Sequence, residues 1–217
     1  MTTLLWLGAA APLHSVRWLD GALAAAAAFE GAIAVAAGDP AWLDLAADRA
    51  MRARVATAGI VLEASLDYLG WAQVAAAAAR HLGATTVLVD EASRPERFAE
   101  TAAIADALGA AQLTSVIALA PDGAVRHASR AGVGGLHTVR IRGAAVLGVR
   151  IAGPAIDEDP TPMPSATMRR LAFSALGLDP AVLTHRTLAP RAAREPHRTV
   201  ESVVEHLAVH VLPRQGR

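Results

Sequence analysis

Short runs rich in β-branched and aliphatic residues alternate with alanine-rich runs of helical length over the first ~120 residues, and this limits the fold more than any other property of the chain. Thr3 to Gly8, Gly31 to Ala37, Gly59 to Glu63, Thr85 to Val89 and Thr114 to Ala120 read as strands. Leu19 to Phe29, Ala41 to Ala53, Asp67 to His81 and Pro95 to Leu108 read as helices. Breakers mark the joints: Gly38-Asp39-Pro40 ends the second strand, Gly83 stops the third helix, and Pro95 and Gly109 bracket the fourth. Proline fits a first helical turn and glycine a C-terminal cap. Strands separated by single helices are joined by right-handed crossovers, which predicts an α/β domain built on a mostly parallel sheet with helices on both faces.

The pattern then changes. Asp122-Gly123 is a hairpin signal, and Ala124 to Ser129, His137 to Arg142 and Ala145 to Arg150 read as strands with no helix between them, a β-rich excursion. Four prolines between Gly153 and Pro164 exclude helix there, and Met168 to Leu176 is expected to be a short helix. Thr187 to Pro196 is a proline and arginine linker, followed by a helix to about Val211 whose Val203, Val204, Leu207 and Val211 share one face. This organisation predicts an α/β domain over 1–186 and a C-terminal arm over 187–217 that packs on a partner.

A length of 217 residues suits one such domain with an extension, burying roughly 70% of its unfolded surface. The chain contains no cysteine, which removes disulfides, thiolate metal sites and cysteine nucleophiles from consideration. Lys+Arg 20 balances Asp+Glu 20, so no net field steers the chain to nucleic acid or anionic lipid. The apolar stretches Leu4 to Leu13 and Ala22 to Phe29 are too short to span a bilayer, and the first lacks a basic leader. The expectation is a cytoplasmic protein with no membrane insertion and no nucleic-acid partner.

Open α/β sheets bind ligands at the carboxyl ends of their strands, which directs attention to Gly8, Ala37 and Asp90. None of those loops carries GxGxxG or GxxxxGK[ST], and Gly132-Val133-Gly134-Gly135 reads as a turn between strands. Asp90-Glu91-Ala92-Ser93-Arg94-Pro95 leaves a strand and enters a helix, so Ser93, Arg94 and free backbone N–H groups could hold a phosphate. The same residues also read as an N-cap by Ser93 and a solvated turn. His206 and His210 stand four apart and Asp157-Glu158-Asp159 clusters three acids, yet neither set has the further ligands a metal needs. No GxSxG or convergent acid, base and nucleophile set is present, which predicts a chain without catalytic residues of its own.

AAAAARHLGATTVLVD, ALGAAQLTSVIAL, GGLHTVRIRGAAVLGV and MPSATMRR, in that order between Ala75 and Arg170, resemble the electron-transfer flavoprotein beta subunits, a likeness that is strong from Ala75 to Pro180 and faint before it. The resemblance implies a Rossmann-like subunit clamped to an alpha subunit that holds most of the FAD. It further implies electron delivery from a partner dehydrogenase, and docking through the loop that contains Met163, Pro164 and Met168. Met163 lies between Pro162 and Pro164, which favour an extended presentation of an adaptable apolar side chain.

Members of that family bury a structural AMP on an Asp-Gly-Asp-Thr-Gly-Gln-Val-type loop. Here the corresponding place is Asp90 to Arg97, with neither glycine nor glutamine. AMP is therefore expected to be absent or substoichiometric, and a second FAD in this chain is expected still less. These departures suggest a specialised branch serving a dedicated dehydrogenase, of the kind associated with mycofactocin systems. A reading of another class, a free-standing adenine-nucleotide-binding regulatory module, would need the phosphate loop that the sequence lacks.

Overall fold

The computed structural model describes residues 2–8, 16–62, 66–92, 97–122, 125–132, 134–151, 168–179 and 183. By compactness the chain divides into a unit of Met1–Arg186 and one of Thr187–Arg217, and the second lies outside the described residues. The first begins with a repeating strand and helix: β1 Thr2–Gly8, α1 Val16–Ala27, β2 Ile33–Gly38, α2 Pro40–Arg52, β3 Ala56–Val61, α3 Tyr68–His81, β4 Ala84–Asp90 and α4 Arg97–Leu108. It continues with β5 Ala111–Asp122, β6 Val125–Gly132, β7 Gly135–Ile141, β8 Ala145–Val149 and β9 Arg169–Arg170. All nine strands join one sheet in the order β7-β6-β5-β8-β4-β1-β2-β3-β9. Only β5-β6 and β6-β7 pair antiparallel. The protein is thus the Rossmann-like α/β fold that the alternation predicts.

Local chemistry explains where the helices start. Asp39 accepts the Trp42 amide at 2.8 Å with Pro40 beside it, and Asp67 accepts the Gly70 amide at 2.7 Å. Each side chain satisfies an N–H that the first turn would otherwise leave open.

The pleat sorts the core into two layers. Leu4, Trp6, Val35, Ile60, Val87, Val89 and Val146 face α3 and α4, whereas Leu5, Leu7, Ala34, Leu88, Leu147 and Val149 face α1 and α2. Ala75 to Ala79 of α3 are all buried, and their small side chains let that helix lie close to the sheet and to α4. Across the other face, Arg49 of α2 meets the buried Asp20 of α1 at 3.3 Å.

Met168 to Leu176 does not form the short helix expected there. Arg169 and Arg170 instead add a parallel strand beside Ala58 and Gly59 of β3, and only Ser174–Leu176 turn, as one 3-10 turn ended by Gly177 at φ 68°. The open edge of β3 offers backbone bonds to this segment, and the Leu171 N–H donates to the Gly59 carbonyl. Such pairing outweighs a weak local preference for helix.

Candidate functional site

Gly8, Ala37 and Asp90 come together at the carboxyl ends of the adjacent strands β1, β2 and β4, but the residues that organise this edge are others. Arg97, the first residue of α4, is 2% exposed and reaches between β1 and β4. Its guanidinium donates to the Asp90 carbonyl at 3.2 Å and to the Leu7 carbonyl, and lies 3.8 Å from the Asp90 carboxylate. Gly8 has φ 60°, and a Cβ there would come within 3.0 Å of the Arg97 Nη2, so glycine serves both the left-handed turn and the arginine's approach. From the other side the Trp42 indole N–H donates to the Gly8 carbonyl at 2.9 Å. Ala37 is buried in the layer under α3 and presents no polar side chain.

A second buried group lies beside the first. Glu91, 2% exposed, places Oε1 2.9 Å from the Thr101 hydroxyl and accepts the Ser115 N–H at 3.0 Å on Oε2. Ser115 sits at an irregularity of β5 with φ 57°, a conformation disfavoured by about 1 kcal/mol or more for a side-chain-bearing residue. The Glu91 carboxyl rests on Gly148, where any Cβ would overlap it. Burial raises the Glu91 pKa above its usual value. The Ser115 amide and the positive charges of Arg150 and Arg130 pull in the opposite direction, as the Thr101 hydroxyl does only in the arrangement in which it donates to the ionised carboxylate. Nearby, Glu100 accepts the indole N–H of Trp6, whose ring leans on Trp71 at 6.4 Å between centroids.

Chemically this edge braces the fold. The Leu7 and Gly8 carbonyls and the Asp90 carboxylate are engaged by Arg97 and Trp42, and the Ala92 N–H donates to Asp90 Oδ1 at 3.1 Å. A phosphate needs converging donors, and three buried carboxyl side chains, Asp90, Glu91 and Glu100, crowd the position instead. At this edge the described side chains thus offer carboxyl groups, while the segments 9–15 and 93–96 lie outside the described residues. Ser93 and Arg94 lie outside them, as do Met163 and Pro164. Among the described residues no group of three or more His, Cys, Asp or Glu could hold a metal ion. Nor is any described helix long and apolar enough to cross a membrane.

The β5-β6-β7 extension has a different character. β6 and β7 lie beyond the helices, with each other and β5 as their main neighbours. β7 is an edge strand whose residues from Gly135 to Arg140 are exposed, with Leu136 at 63% and Val139 at 37%, and Ile117 of β5 is 41% exposed. A hollow of about 180 Å³ lies among Leu113, Val139, Ile141, Ala145 and Leu147. From Gly123 to Ile156 the sequence carries Arg126, Arg130, Arg140, Arg142 and Arg150 and no acid. The larger cleft, about 600 Å³, runs between α3 and the 3-10 turn past Gln73, Arg80, His81 and Leu176. Arg80 there already donates to the Ala107 carbonyl.

Met168, expected at a docking loop, is half-buried, and its side chain lies where a Cβ on Gly59 would stand, packed beside Leu43. Arg97 and Ser115 escaped sequence reasoning because the Leu7 carbonyl and the Glu91 carboxyl lie far from them along the chain, and Thr101 because only its burial beside Glu91 gives it a role. One signal was available: an arginine, a glutamate and a threonine at Arg97, Glu100 and Thr101 share a face with the buried Ile104 and Ala105.

Comparison with protein-family models gives no match for this sequence, and comparison with curated proteins gives none either.

Proposed function

We propose that the chain is a non-catalytic beta-type subunit of a heterodimeric electron-transfer flavoprotein. In this reading an alpha subunit holds the FAD, and electrons pass from a partner dehydrogenase to a downstream acceptor. The observation that carries the reading is the bare extension: an edge strand with Leu136 and Val139 exposed, arginines around it, and no described helix to cover it. Exposed apolar side chains on a strand with one open edge are a liability for an isolated chain and an asset at an interface. The motif order between Ala75 and Arg170 supplies the family, and the filled carboxyl edge supports a structural role for this subunit without AMP.

Co-expression with candidate alpha subunits tests it, the expected product being a yellow 1:1 heterodimer. A colourless, monodisperse monomer that ignores every alpha subunit would overturn the reading. Nucleotide released on denaturing the complex should be absent or substoichiometric, and one AMP per heterodimer would reverse that part. Met163 belongs to the dehydrogenase contact in this proposal. Replacing it by glutamate should slow reduction by the dehydrogenase roughly tenfold or more while leaving flavin content intact, since a lost interface anchor costs about 2 kcal/mol.

A further inference from the structure

Thr101 Oγ lies 2.9 Å from Glu91 Oε1 and also 2.9 Å from the Arg97 carbonyl four residues earlier in α4. Glu91 Oε1 and the carbonyl are both acceptors if Glu91 is ionised, and one hydroxyl has one proton to give. Both contacts are full two-centre hydrogen bonds only when the second proton comes from the acid itself; otherwise the one hydroxyl proton is shared between two acceptors. The other oxygen is already served by the Ser115 N–H, and Gly148 leaves room for the carboxyl to lie flat against β8.

We propose that Glu91 is a proton-holding latch: its Oε1–H donates to Thr101 Oγ, the Thr101 hydroxyl donates to the Arg97 carbonyl, and Oε2 accepts from the Ser115 amide. The latch ties the turn after β4 to α4, to the kink of β5 and to β8. Loss of the proton leaves Oε1 and the Arg97 carbonyl competing for one hydrogen and places a charge where water is excluded.

The charged groups around it fix what the lost proton does. Asp90 precedes it and is paired with Arg97 at 3.8 Å, Glu100 shares α4 with Thr101, and Arg150 just after β8 and Arg130 of β6 approach it. Arg150 also lies over the Phe98 ring at 5.6 Å. The two arginines favour the ionised form, yet burial outweighs them and raises the pKa. A raised folded value means that the stabilisation is fully present below the ordinary value of 4.5 and is lost as pH rises through the folded value.

The test uses the full chain, alone or in its complex. In Glu91→Gln the amide donates to Thr101 and its oxygen accepts from Ser115, mimicking the protonated acid at every pH. Denaturation midpoints of wild type and E91Q, compared from about pH 5 to about pH 8, should diverge, with wild type losing stability that E91Q retains. Carboxyl carbon NMR of the wild type should place the Glu91 titration above the ordinary glutamate range. In Thr101→Val that titration should move down, because the removed partner had accepted from the acid form. The proposal is overturned if Glu91 titrates in the ordinary range, if T101V moves it up, or if E91Q keeps the wild-type pH dependence. Should E91Q fail to fold, the wild-type titration alone decides.

Discussion

The indole N–H of Trp42 donates to the carbonyl of Gly8, and this bond closes the end of β1 with the first turn of α2. The same ring lies 3.0 Å from where a Cβ on Gly38 would stand, so one side chain seals two strand ends. Trp42→Phe keeps most of the apolar contact and removes the donor, which should cost about 1 kcal/mol in urea unfolding. Trp42→Ala should cost roughly 3–5 kcal/mol. Equal losses in the two variants would assign the bond a larger share than this.

The Arg97 guanidinium is buried, and it holds two carbonyls and the Asp90 carboxylate. Arg97→Met should destabilise by about 3–5 kcal/mol, because the buried Asp90 carboxylate loses its counter-charge. Adding Asp90→Asn should recover part of that loss, giving a double variant more stable than the sum of the singles. Strictly additive unfolding energies would separate the two residues energetically.

Gly59 and Met168 occupy one space: a Cβ on the glycine would overlap the thioether. Gly59→Ala should destabilise by displacing Met168 from its place beside Leu43. In the Met168→Ala background the same change should cost less, by about 0.5 kcal/mol or more. A thermal-unfolding cycle measures the difference, and an unchanged cost would mean that the backbone of β3, and not Met168, resists the methyl group.

Leu136 and Val139 stand exposed on the edge strand β7. Leu136→Asp should therefore leave the stability of the isolated chain within about 0.5 kcal/mol of wild type. Under the function proposed above it should weaken heterodimer formation by about tenfold or more. If the arginines of the extension contribute, association should also slow as salt rises. Size-exclusion and binding titrations read both effects, and unaltered affinity would place the interface elsewhere.

The alternation of runs was enough to predict the parallel sheet and its two helical layers, and the Asp122-Gly123 signal the hairpin, whereas Ala145 to Arg150, read as part of the excursion, returns as β8 to pair parallel between β4 and β5. Hydrophobic period and breakers act over neighbours, so a linear reading captures them. Met168 to Leu176 escaped because an open strand edge recruited it. At the carboxyl edge, Asp90 ends β4, and Ser93 and Arg94 lie outside the described residues.

The turn from Asp90 into α4 reads along the chain as a polar segment open to an anion. Tertiary structure turned its described charged residues, Asp90, Glu91 and Arg97, inward. The Leu7 carbonyl lies 90 positions from Arg97, and the Ser115 amide lies 24 from Glu91. Gly148 lies farther from Glu91 along the chain than Ser115 does, and its missing Cβ makes the room for the carboxyl. A local pattern specifies which residues carry charge, whereas burial decides whether that charge faces water, a counter-ion or a held proton. Desolvation and its compensation depend on atoms that only the folded sheet brings within reach.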